Sequence, residues 1–155
     1  MIQRMQSVYL LLTSLLSGLF LNGDILTFKK EAGADIVMNL TGAYQLTATG
    51  SLEKIQNQFP VPVILLAILL LSLAAIFFYR KRKLQMKLTL VVIALIIAFI
   101  ATLLFYAVTI IKKNQAVPVA GFKMFIPLLM ILFVILAYRG IRKDENLVKS
   151  YDRLR

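Results

Sequence analysis

Side chains able to carry acid–base, nucleophilic or metal chemistry are scarce in this chain of 155 residues, which contains no His and no Cys. Imidazole bases, thiolate nucleophiles, disulfides and the usual zinc sites are excluded at once. What remains is seven acids: Asp24, Glu31, Asp35, Glu53, Asp144, Glu145 and Asp152. Only Asp144 and Glu145 adjoin, and on a helix neighbouring side chains point about 100° apart. They read as two solvated carboxylates. With no acid, base, nucleophile or metal cluster in view, the expectation is a non-catalytic protein with no cofactor.

The cations are more informative. There are 18 Lys and Arg and a net charge of +11, and the densest group is the run Tyr79, Arg80, Lys81, Arg82, Lys83, with Lys87 just beyond. Residues 59–79 before it and 88–111 after it hold no charged side chain. At about 1.5 Å per residue each exceeds the roughly 30 Å hydrocarbon core of a bilayer, so both read as transmembrane helices. A short, purely basic turn between two such helices marks the cytoplasmic side. Under that orientation the inner side carries twelve Lys and Arg against three acids, and the outer side six against four. Membrane insertion accounts for such asymmetry, so the positive charge points to anionic headgroups of a lipid bilayer and not to nucleic acid.

Two further apolar stretches flank this pair. After Arg4 the chain is apolar from Val8 to Leu21 and uncharged up to Asp24, and no clear small-x-small site follows, so residues 6–23 read as a retained helix and not a cleaved signal. Thr13 with Ser17 and Ser14 with Gly18 form small-xxx-small pairs that let helix backbones approach closely. Ala94, Ala98 and Thr102 repeat the pattern on the third span. The fourth span, 119–139, ends in Tyr138-Arg139 as the second ends in Tyr79-Arg80, an interfacial anchor each time. The expectation is therefore an all-α integral membrane protein of four transmembrane helices, one domain over 1–155, with both termini cytoplasmic. The spans are 6–23, 59–79, 88–111 and 119–139, with outer loops 24–58 and 112–118 and a cytoplasmic loop 80–87.

In the first outer loop, residues 35–40 and 43–49 alternate about Thr41-Gly42 and predict a small β-hairpin, with a third short run at 25–28. Ser51 looks like the N-cap of a short helix ending before Pro60. The tail, 140–155, predicts a basic amphipathic helix that lies on the membrane or docks on a partner. Arg142, Lys143, Leu147, Val148, Tyr151 and Leu154 are its candidate contacts.

The opening MIQRMQSVYLLL and the closing IRKDENLVKSYDRLR resemble the terminal signatures of a four-pass Bacteroidota membrane family, domain of unknown function 4293. The resemblance extends over the full chain and implies a bacterial inner-membrane protein, with no catalytic residues to carry over. Together these readings predict a structural or accessory subunit of a larger complex of inner-membrane proteins. The alternative is an oligomeric small-solute transporter or channel. Against it, no span carries an interior charge of the kind that ion and proton pathways use.

Overall fold

The computed structural model describes residues 5–30, 35–46, 51–119 and 121–152. Arg4, Leu154 and the side chain of Tyr151 lie outside the described residues. Four helices form: α1 (Met5–Phe20), α2 (Pro60–Phe77), α3 (Arg82–Asn114) and α4 (Ile126–Asp152). Between them lie β1 (Leu26–Lys29), β2 (Ile36–Asn39), β3 (Gly42–Leu46), β4 (Leu52–Asn57) and β5 (Val117–Val119). α2 starts with Pro60 and Pro62 in its first turn, where a missing N–H breaks no helical bond. A 3₁₀ turn, Phe78–Arg80, links it to α3. α3 ends with Lys112 and Lys113 in its last turn, against the negative end of the helix dipole, and stops at Gln115 in a left-handed conformation (φ 49°).

This architecture corrects the expected all-α, four-span fold. The segments between α1 and α2 and between α3 and α4 build a five-stranded antiparallel sheet of order β4-β3-β2-β1-β5. Among the described residues three helical segments, Pro60–Arg80, Arg82–Asn114 and Phe122–Val148, are long and apolar enough to cross a membrane. The chain is thus a membrane protein. α1 has sixteen residues, which is about 24 Å and short of a roughly 30 Å core. The helix does not continue to residue 23: it ends at Phe20, and Gly23 (φ 78°) lies in the turn that leads to β1. The helix expected after Ser51 is instead β4. Its residues find ladder partners on β3 from Leu46↔Leu52 to Gly42↔Asn57, whereas a helix of one or two turns is costly to nucleate. β5 comes from the segment between α3 and α4 and pairs with β1, placing Pro118 opposite Phe28. Proline is tolerated there because the strand is at the sheet edge.

One sheet face rests on the helix ends. Phe28, Ile36, Met38 and Ala43 are buried in the same cluster as Phe20, Val61, Phe99, Ile110 and Ile126. Burial against the bundle stabilises a sheet whose hairpins alone would be marginal in water. Tyr44, next to buried Ala43, belongs to the opposite face, with the Lys54 ammonium 6.0 Å from its ring centre. A Cβ on Gly42 would lie 2.6 Å from the Gln56 carbonyl oxygen. Gly42→Ala is therefore expected to force β3 and β4 apart and to cost about 1–3 kcal/mol. Faster amide exchange in residues 52–57, with α2 and α3 unchanged, is the result to look for.

The helices form a ring. α1 packs on α2 and α4, and α3 packs on the same two. α1 and α4 are antiparallel: Gln6 meets Asp144 at one end, and Asn22 meets Lys123 at the other.

Candidate interaction face at the basic end

The end of the bundle away from the sheet gathers Arg80, Lys81, Arg82, Lys83, Lys87, Arg139, Arg142 and Lys143. Two contacts organise it. The Gln6 amide donates to the Asp144 carboxylate, and the Arg82 guanidinium donates to the Asp144 backbone carbonyl at 3.2 Å. Asp144 is therefore half-buried and held by α1 and α3, not the freely solvated carboxylate expected from its neighbour Glu145. Two approaches bring α1 and α4 together here. A Cβ on Gly140 would sit 3.1 Å from Gln6 Cγ, and Tyr9 stacks on Phe133 with ring centres 6.3 Å apart.

Gln6, Ser7, Tyr79, Arg82, Gln85 and Asp144 enclose a polar cavity of about 40 Å³. That is room for little more than a water molecule. Among the described residues no three acids cluster closely enough to hold a metal ion.

Removing the Gln6 amide should loosen this junction. Because its acceptor is charged and half-buried, Gln6→Ala is expected to cost about 1.5–3 kcal/mol. Asp144→Asn, which keeps an acceptor oxygen, should cost less than Asp144→Leu. Unfolding in mixed micelles measures all three.

Outside the junction, α4 continues as one unbroken helix to Asp152. Residues 145–152 lie beyond the level at which Arg82 meets Asp144, a projection of about 12 Å. Leu147 and Val148 are exposed on it (51% and 40%). Each borders a groove rich in cations: Arg139, Arg142, Lys143 and Asn146 beside Leu147, and Arg80, Lys81, Arg82 and Lys83, with the single acid Glu145, beside Val148. An apolar ridge flanked by cations is the result. Arg80 also lies over the Tyr79 ring, 5.8 Å from its centre, while Tyr138 is half-buried.

The small-residue pairs divide. Thr13, Ser14 and Ser17 are buried in the ring, and each hydroxyl donates to a carbonyl of its own helix. Gly18 faces α2, where an added Cβ would lie 3.9 Å from Leu69. Ala94 and Ala98, in contrast, are exposed on the outward face of α3, and Thr102 is half-exposed. That second stripe is not a packing seam of the ring.

Sequence reasoning missed Gln6 and Gly140 as members of this face. The signal available was that both fall in or beside the terminal stretches quoted above. Those stretches, 138 residues apart at the Gln6–Asp144 bond, meet at one end of the molecule. The family model described as Domain of unknown function (DUF4293) matches residues 2–154, which includes both stretches. No curated protein matches the chain.

Proposed function

We propose that this chain, which belongs to the DUF4293 family, is a non-catalytic accessory subunit of a larger bacterial inner-membrane assembly. Its basic end faces the cytoplasm, a placement that the excess of Lys and Arg there supports, with the start of α1 and the end of α4 on that side. The partner is another membrane protein that presents an acidic, amphipathic cytoplasmic segment. That segment covers the ridge of Leu147 and Val148, and its carboxylates face the flanking Arg and Lys side chains.

The observation that carries this reading is the continuity of α4. A tail helix lying on the bilayer would have to turn after the Tyr138-Arg139 anchor, whereas α4 continues through that level to Asp152 without a break in its helical bonding. Its apolar ridge then projects into water, where a protein surface can bury it and a lipid surface cannot. The Gln6–Asp144–Arg82 junction supports the same reading, because it ties the base of the projection to both α1 and α3.

The transport alternative draws no comparable support. Buried hydroxyls at Thr13, Ser14, Ser17, Ser72 and Thr89 are each used on their own helix backbone, leaving them poorly placed to coordinate a solute.

Purification in mild detergent at native expression level tests the proposal. A stoichiometric membrane partner that survives washing is the expected result, and a clean monomer or homo-oligomer overturns it.

A further inference from the structure

At the sheet end of the ring, α3 and α4 separate and leave an apolar crevice of about 240 Å³. Its walls include Leu104 and Ala107 of α3 and Phe125 and Leu128 at the start of α4, and Phe20 closes its floor. Ile25 and Leu26, at the start of β1, close it on the sheet side, while Leu104, Phe125 and Leu128 are more than half exposed, so the crevice opens sideways, towards the bilayer. The Lys123 ammonium borders it. That ammonium donates to the Asn22 carbonyl, which holds it over the Asn22-Gly23 turn. An ammonium has three donors, so two are left to face outward.

A second groove runs beside the first. Ala101, Leu104, Phe105 and Val108 line it, and it ends at Lys112 and Lys113. Leu104 belongs to both, so it forms a ridge between two apolar tracks that each finish in cations at the same end of α3.

We propose that this pair of tracks is a binding site for one anionic phospholipid. One acyl chain fills the crevice, the second lies along α3 on the other side of Leu104, and the phosphodiester and headgroup sit among Lys123, Lys112 and Lys113. The site follows from the environment. An apolar crevice opening into hydrocarbon is filled by an acyl chain, and three cations at the ends of its tracks select a negative headgroup over a neutral one. It lies at the opposite end of the molecule from the proposed docking ridge and does not depend on it.

The test is native mass spectrometry of the full chain after equilibration with equimolar phosphatidylglycerol and phosphatidylethanolamine. One retained phosphatidylglycerol per chain is expected, in clear excess over phosphatidylethanolamine. Lys123→Gln, a change at a surface side chain, should lower that retention about fivefold, and Ala107→Phe, which fills the crevice, should abolish it. Equal retention of the two lipids, no retained lipid, or phosphatidylglycerol retention unchanged in Lys123→Gln would each overturn the proposal.

Discussion

Replacing Phe99 with Ala is expected to cost about 3–5 kcal/mol, the range for truncating a fully buried aromatic side chain. Phe99 is fully buried on α3 and meets Phe20 of α1 edge to face, with ring centres 5.3 Å apart. It belongs to the cluster that joins the helix ring to the sheet, so its removal opens a cavity between both layers. Inside a bilayer the unfolded helix is also in apolar surroundings. The loss therefore comes from dispersion contacts and the cavity and not from transfer out of water. Ile97, two residues away, is 54% exposed on the lipid side. Ile97→Ala should stay within about 0.5 kcal/mol of the parent chain. Unfolding titrations in mixed micelles separate the two. Comparable losses at both positions would mean that α3 is not oriented with Phe99 inward.

The second large effect is on association. A chain carrying both Leu147→Asp and Val148→Asp should lose its partner from mild-detergent preparations while keeping its own stability. The two side chains are exposed and lie beyond the Gln6–Asp144–Arg82 junction. Two carboxylates on the ridge would replace apolar contact area and repel the acidic segment that the flanking cations attract. Loss of a desolvated anchor of this kind typically costs 2 kcal/mol or more, about thirtyfold in affinity. Arg142→Gln at the rim should have a smaller effect that fades at high salt. Full retention of the partner by the double variant would place the contact elsewhere.

How far the fold was legible depends on how locally each element is determined. α2 and α3 announced themselves through long apolar runs on either side of a basic turn, since a membrane span is set by composition and length alone. β2 and β3 were visible in their alternation about Thr41-Gly42. β4 was not. Its residues alternate poorly, its burial is slight, and its strand conformation is supplied by the ladder to β3. β5 is three residues long and includes Pro118, so only its pairing with β1 defines it. The length of α1 was overread because apolar residues continue past Phe20, where the helix ends before the turn at Gly23.

At the candidate site the basic anchors were legible and the junction was not. Arg80, Lys81, Arg82, Lys83 and Arg139 stand out by charge. The bond between Gln6 and Asp144 joins residues whose separation no local pattern bridges, and Asp144 looked solvated because only its neighbour Glu145 was in view. Spacing alone also could not tell an inward stripe from an outward one. Thr13, Ser14 and Ser17 are buried and Ala94 and Ala98 are exposed, although the two sets share one repeat.

The most direct measurement of the central claim is site-specific photocrosslinking in intact cells, with a photoreactive side chain placed at Leu147 and, separately, at Ile97. The account predicts one discrete protein adduct from position 147 and only lipid adducts from position 97. An absence of protein adducts at 147, or the same protein captured from both positions, would contradict a docking ridge on the projecting end of α4.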